Sequence, residues 1–246
     1  MTQHIKTVLL LTRPSTAAET FAARIRAFEL PGLEICAAPL MQITPTRDML
    51  DLGRARGVIF SSRNGVEMAN ALTQDRLPCH CVGRSTAALA AETGWAVLTC
   101  EQTADDLVGH LLTTDSDTPL VHIGGRERRG DVAARLTQAG IPTNEHVAYE
   151  QNLLPLPQPA IAALRGPAPV IAPLFSPRSA RHFARTAKPS VPLWLPVISP
   201  AAAEPLESLG SGRVLVAKAP DADAMVDATL EAYREATRVE GAPRGH

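Results

Sequence analysis

The stretch Ile59-Phe60-Ser61-Ser62-Arg63-Asn64-Gly65-Val66 decides the reading of this chain, because it returns as Leu174-Phe175-Ser176-Pro177-Arg178-Ser179-Ala180-Arg181. Each copy is an apolar run that breaks into a turn of hydroxyl and basic residues. Its neighbours return in the same order. Cys81-Val82-Gly83-Arg84-Ser85-Thr86-Ala87 comes back as Val197-Ile198-Ser199-Pro200-Ala201-Ala202-Ala203, and Leu11-Thr12-Arg13 as Gly124-Gly125-Arg126. Ala22-Ala23-Arg24-Ile25 has its counterpart in Ala133-Ala134-Arg135-Leu136. The halves are therefore similar, and two halves facing each other make a cleft, a preferred place for a ligand.

Around these segments short apolar runs alternate with stretches of helical spacing. Strands are expected at Thr7–Leu11, Glu34–Ala38, Gly57–Ser61, Cys79–Val82, Ala96–Thr99, Leu120–Ile123, Glu145–Tyr149, Val170–Phe175, Leu193–Ile198 and Val214–Ala217. Thr16–Phe28, Val66–Leu72, Thr86–Thr93, Ala104–Leu112 and Asp131–Ala139 have apolar residues at helical spacing, with Gly94 and Gly140 as stops. Such alternation argues parallel sheets with helices on both faces. The run Leu153-Leu154-Pro155-Leu156-Pro157-Gln158-Pro159 cannot be a central strand or a helix interior and reads as a linker or edge crossing. A cut between the repeats falls near residues 113–118. If one strand of each repeat crosses into the other half, the domains are nested instead.

Composition narrows the function. Of 246 residues, 45% are hydrophobic and 20% charged, as in ordinary soluble domains. With 24 basic and 25 acidic side chains the formal charge is −1, so no global field attracts nucleic acid or an anionic membrane. An anionic ligand needs a local basic cluster. The N-terminus leads at once into Val8-Leu9-Leu10-Leu11, too short for a signal sequence or a membrane span, and the expectation is a cytoplasmic protein. Cys79-His80-Cys81 lacks a second pair and does not meet a zinc pattern. The two thiols are expected on opposite faces of their strand, as reduced cysteines.

In parallel sheets ligands sit beyond the carboxyl ends of the strands. There the chain places Arg13, Ser61, Ser62, Asn64, Gly83, Ser85, Thr86, Gly125, Arg126, Ser176, Ser179 and Ser199. Hydroxyls and glycines leading into helix N-termini present backbone N–H groups and a positive dipole end to anions. Gly124-Gly125-Arg126-Glu127-Arg128-Arg129 is the densest basic patch, and arginine forks suit carboxylates. Each hydroxyl taken alone is equally a helix cap; the ensemble at several junctions points to an anion-binding cleft. Dinucleotide and phosphate-loop signatures, a GxSxG elbow and HExxH are absent from the sequence. His122, inside a strand, reads as packed. Asp105-Asp106 reads as an acidic first helical turn. Tyr149, one of two tyrosines, ends a strand where its phenol can donate into the cleft.

In this order the segments resemble the uroporphyrinogen-III synthase family, over nearly the whole chain from Val8 to about Leu230. The resemblance rests on Ile59–Val66, Val82–Ala87, Val147-Ala148-Tyr149-Glu150, Phe175-Ser176-Pro177 and Ala219-Pro220-Asp221 through Met225. It implies an α/β fold: two flavodoxin-like or Rossmann-like parallel-sheet domains joined by a two-stranded β-ladder, with the cleft between them. The domains are expected at residues 1–36 with 153–246 and at 41–148, with the ladder at 37–40 and 149–152. Phe60-Ser61 and Phe175-Ser176 are then expected to face each other across the cleft. The implied reaction dehydrates hydroxymethylbilane, a labile linear tetrapyrrole with eight carboxylates, and closes it with the last pyrrole inverted, by way of an azafulvene and a spiro-pyrrolenine. No metal or other cofactor is implied. Tyr149 matches the family's cleft tyrosine and is the candidate for assisting hydroxyl departure. Ser62, Thr86 and Ser176 match hydroxyl positions that bind acetate or propionate groups. Ala201 and Ala202 stand where relatives often carry hydroxyls, which leaves Ser199 as the substitute. The partner is a small molecule; the protein is expected to be a monomer, in transient contact at most with the preceding enzyme. The rival reading is a non-catalytic two-lobed protein that binds or senses an anionic ligand.

Overall fold

The structure is a computed structural model that describes residues 6–114, 117–127, 130–210 and 212–239. In chain order its first elements are β1 (Thr7–Leu11), α1 (Ser15–Arg26), β2 (Leu33–Ala37), β3 (Met41–Pro45), β4 (Gly57–Phe60), α2 (Arg63–Leu72) and β5 (Pro78–Val82). There follow α3 (Arg84–Glu92), β6 (Ala96–Glu101), α4 (Ala104–Thr113), β7 (Leu120–Gly125), α5 (Val132–Gln138) and β8 (Thr143–Leu153). The chain continues with α6 (Gln158–Arg165), β9 (Val170–Ile171), α7 (Pro177–Thr186), β10 (Leu193–Val197), α8 (Pro200–Ala203), a 3₁₀ turn, β11 (Arg213–Val216) and α9 (Ala222–Val239).

The chain forms two compact units, Met1–Gln42 with Leu153–His246, and Ile43–Asn152. The first contains a parallel sheet of order β11-β10-β9-β1-β2. The second is built on the sheet β3-β8-β7-β4-β5-β6, parallel from β8 to β6. Backbone bonds from Thr46 N–H to Ala148 C=O and from Leu154 N–H to Leu40 C=O set β3 against β8 in antiparallel sense.

Burial follows from the strand period of two. Val8 and Leu10 of β1 join one core cluster of the first unit and Leu9 and Leu11 the other. Both faces of β1 are thus covered, so its sequence is continuously apolar, as parallel strands require. Phe60 and Val58 lie on one face of β4 and Ile59 on the other. Each such side chain removed from water contributes roughly 1.5–3 kcal/mol. The proline-rich run ends β8 and opens α6, with Pro157 at the N-cap and Pro159 in the first turn, where a missing N–H costs nothing.

Three expectations need correction. The thiols of Cys79 and Cys81 are not on opposite faces: both are buried in one cluster with Sγ atoms 3.9 Å apart, because residues two apart in a strand share a face. The hydrogen bond with the Cys79 thiol, and after it burial, hold the Cys81 thiol well above its usual range. The run Val170–Phe175 forms only the two-residue β9 plus a bridge from Leu174 to Val197. Pro173 interrupts it by lacking an N–H, and its C=O is taken by the buried Thr12 hydroxyl at 2.6 Å. Strand β3 was not anticipated, and Ala37 closes β2 rather than pairing with β8. Asp105 and Asp106 do open α4, where Thr103 and Asp106 form a reciprocal capping box.

Burial holds His80 and His146 below their ordinary value of 6.5, with His110 adding to the effect at His80 and Asp48 opposing it at His146. Below pH 6.5 the unfolded chain takes up protons that the folded chain resists, so the stability these neutral imidazoles confer is complete above that pH and is lost as pH falls through it. The denaturant midpoint is expected to drop between about pH 7.5 and pH 5.5, and to drop less in a His146→Gln protein. An equal fall in both would remove His146 as a cause.

Candidate functional site

In the second unit the site grows from the end of β4. Ser62 adopts extended backbone and caps α2, its Oγ accepting the Gly65 N–H at 3.1 Å. The helix start lies flush on β7: a Cβ on Gly65 would come 2.7 Å from the Ile123 carbonyl oxygen, so glycine is needed for the close approach. At the end of β7 the ladder slips by one residue between Gly124 and Gly125. Across Gly125 lies the ring of Tyr149, from β8, whose Cε2 would be 2.5 Å from a Cβ there. The ring reaches over this gap to set its hydroxyl 2.9 Å from Ser62 Oγ. Tyr149 is 3% exposed, so the phenol is held by packing.

Other expected residues lie at the neighbouring strand ends and helix starts of this unit. Ser61 Oγ is 2.9 Å from Nε2 of the buried His122, on the neighbouring strand β7. Asn64 is half-buried in the first turn of α2. Gly83, at φ 86°, turns the chain from β5 into α3; a side chain is strained in that left-handed region. Ser85 is exposed, and its C=O accepts from the Arg63 guanidinium at 3.1 Å, which ties the starts of α2 and α3 together. Thr86 lies in the first turn of α3 and is largely buried. Arg126 donates its N–H to the Tyr149 C=O and its Nε to Glu150 Oε1, both at 2.9 Å. That ion pair is exposed and worth about 0.2–1 kcal/mol, little enough for an incoming carboxylate to replace Glu150. Arg128 and Arg129 lie outside the described residues.

The first unit carries the counterpart loops. Ser176 caps α7, accepting the Ser179 N–H at 3.1 Å and donating to the Ser179 hydroxyl at 2.9 Å. The Arg13 guanidinium lies 4.2 Å from the centre of the Phe175 ring, a stacking that orients it beside this cap. Ser199 precedes the one-turn α8 without capping it by its side chain. Ala202 there is buried and Ala201 exposed.

Sequence reasoning missed two contributors. His122 was read as packing, yet it holds the Ser61 hydroxyl. Arg63 stood in the quoted stretch but was not singled out. The fold brings Ser61, Ser62, Asn64, Gly125 and Arg126 to the carboxyl ends of β4 and β7, where Tyr149 pairs with Gly125; β8 itself continues to Leu153, so Tyr149 lies within the strand rather than at its end. Arg13, Ser176, Ser179 and Ser199 occupy the equivalent ends in the first unit. Among the described residues no group of three His, Cys, Asp or Glu converges on one point, and no helix is long and apolar enough to cross a membrane.

Two parallel-sheet units with capped, glycine- and arginine-bearing turns at their strand ends define a flavodoxin-like class of two-unit α/β proteins. The sequence model of uroporphyrinogen-III synthase HemD matches residues 19–227. Among solved structures, uroporphyrinogen-III synthetase of Helicobacter pylori is similar with TM-score 0.63 and 16% identity, covering 93% of this chain and 100% of that one. A mutant uroporphyrinogen III synthase of Thermus thermophilus follows with TM-score 0.53 and 14% identity, covering 94% and 99%. No curated protein matches the sequence significantly. The chain belongs to the uroporphyrinogen-III synthase family. It is a cyclising lyase of tetrapyrrole biosynthesis that turns hydroxymethylbilane into uroporphyrinogen III, and the non-catalytic alternative gains no support.

Proposed function

We propose that the Tyr149–Ser62 pair supplies the proton for dehydration, and that amides, hydroxyls and arginines at the strand ends of each unit hold the substrate folded for closure. The observation that carries this reading is the 2.9 Å contact between the two hydroxyls at the N-terminus of α2. Ser62 Oγ already accepts from Gly65. With its own O–H donated to the phenol oxygen, the Tyr149 proton is free to be given away. That proton passes to the terminal hydroxyl of hydroxymethylbilane, which leaves as water while the pyrrole nitrogen lone pair forms a protonated azafulvene. The substituted carbon of the last pyrrole attacks the exocyclic methylene and gives the spiro-pyrrolenine. Cleavage and re-formation at the other side invert that ring, and the proton lost on rearomatisation returns to the phenolate. Water is the sole net loss.

Magnitudes divide the labour. A positioned general acid contributes about 10²–10⁴-fold. Fixing a reactive chain in its closing conformation can contribute about 7–11 kcal/mol. Positioning is thus the larger share, and Arg13, Ser61, Asn64, Gly83, Ser85, Thr86, Arg126, Ser176, Ser179 and Ser199 are assigned to the acetate and propionate groups. Gly125 serves instead by leaving room for the Tyr149 ring. Arg128 and Arg129 extend the basic patch of Arg126 in the sequence and are assigned with it.

The test generates hydroxymethylbilane in situ, adds the protein, and separates the oxidised porphyrin isomers. Type III is expected to dominate; persistent type I at high protein concentration sinks the reading. The protein is further proposed to act as a cytoplasmic monomer that meets the preceding enzyme only transiently, consistent with a family of small-molecule biosynthetic enzymes. Light scattering is expected to give 26.2 kDa, and a stable dimer would contradict it.

A further inference from the structure

Helix α7 starts at Ser176 and runs away from the strand ends with the sequence Pro-Arg-Ser-Ala-Arg-His-Phe-Ala-Arg-Thr, which contains no acid. Its apolar positions Ala180 and Phe183 are buried in the core. Arg178, Arg181 and Arg185 recur at intervals of three and four, so they share the opposite flank. Lys188 follows just beyond the C-cap, Ala187. Arg181, Arg185 and Lys188 are exposed, and among the described residues none of the three has an ion-pair partner. Like charges three and four apart repel, which costs an isolated helix a few tenths of a kcal/mol per pair. A chain of net charge −1 has acids enough to neutralise Arg181, Arg185 and Lys188, yet among the described residues none pairs with them.

Next to the end of this row is a cavity of about 240 Å³, lined by Leu156, Ile161 and Leu164 together with Arg165, Thr186 and Lys188. Leu156 and Leu164 are buried, whereas Arg165, in the last turn of α6, is exposed and likewise unpaired among the described residues. An apolar lining flanked by two cations suits a flat apolar ring that carries carboxylates.

We propose that the basic flank of α7, with Arg165 and Lys188 at this cavity, is a docking surface for the polycarboxylate tetrapyrrole itself, outside the reacting site. The inference rests on the function proposed above, because it takes that substrate class as the occupant. Charge complementarity selects it: an octacarboxylate can engage several of these cations at once, and its pyrrole rings suit the cavity. The row begins at the Ser176 cap, so a chain captured on α7 is delivered along the helix to the Ser176–Ser179 turn. Fields of this kind raise encounter rates by 10–10³-fold and weaken with salt.

The test is fluorescence titration of the whole protein with uroporphyrin I, a stable octacarboxylate. Unmodified protein is expected to lose affinity steeply between about 20 mM and about 300 mM NaCl. The Arg181→Gln/Arg185→Gln/Lys188→Gln protein is expected to bind about tenfold more weakly at low salt, with a flattened salt dependence and a parallel fall in kcat/KM. Arg181→Lys/Arg185→Lys should restore the charge and most of the binding. Coproporphyrin, with four carboxylates, should bind less tightly. Salt-independent affinity of the unmodified protein overturns the proposal without any variant. Unchanged affinity in the triple glutamine protein, or a charge effect seen only with an acidic partner protein present, does so as well. Failure of the functional reading looks different: the unmodified protein then makes no type III isomer, whatever its affinity for uroporphyrin.

Discussion

Tyr149→Phe is expected to lower the rate of uroporphyrinogen III formation by about 10²–10⁴-fold, the range for loss of a positioned proton donor. The phenylalanine ring keeps the packing across Gly125 and loses only the bond to Ser62. Loss of that single neutral hydrogen bond costs about 0.5–1.5 kcal/mol of stability, which for a chain of this length moves Tm by only a few degrees. The isomer that the variant does make on the enzyme should remain type III, since the direction of closure is set by positioning. Type I should rise in the mixture because spontaneous closure then competes. Stopped-flow or quenched assays with isomer separation read both quantities. A rate within about twofold of the unmodified protein would remove Tyr149 from proton transfer. A fall in selectivity on the enzyme would instead make it a positioning residue.

Gly125→Ala should have the second large effect, and for a steric reason. The added Cβ would lie 2.5 Å from Cε2 and 2.8 Å from Cζ of Tyr149, distances at which a packed ring must move. Overpacking of this kind costs about 1–3 kcal/mol, and Tyr149 belongs to a core cluster with Phe60, Trp95 and Ile123. The displaced phenol loses register with Ser62, so the rate of type III formation is expected to fall by at least about tenfold, with Tm lowered as well. A double variant separates the two consequences. In the Tyr149→Phe background, Gly125→Ala should lower Tm but add little further loss of rate, because the hydroxyl it misplaces is already gone. Full additivity in rate would mean that Gly125 acts on substrate directly.

The two residues differ in how far they could be read from the sequence. Tyr149 stood out as a rare phenol at a strand end. Gly125 stood out only as part of a turn and was assigned to the ligand; its duty to the Tyr149 ring depends on a strand that lies 24 positions later. The caps at Ser62 and Ser176 were legible because a helix start is a local event: the hydroxyl accepts an N–H three residues on. Thr86 lies inside the first turn of α3, whose N-cap is Gly83, and its burial depends on what α3 packs against.

Local order therefore came from the sequence alone: strand and helix alternation, the repeated turn, the proline-rich stop before α6, and the acidic opening of α4. All follow from side-chain period, capping and ring constraints within a few residues. The tertiary structure decided which distant groups meet. Tyr149 reaches Ser62 across 87 positions and Ser61 meets His122 across 61, because parallel register sets β4 beside β7 and β7 beside β8. It also decided that Pro173 would cut β9 short and that the thiols of Cys79 and Cys81 would share a face. Strand pairing joins segments without regard to their separation in the chain, so no local pattern encodes these contacts; hydrogen-bond register and close packing do.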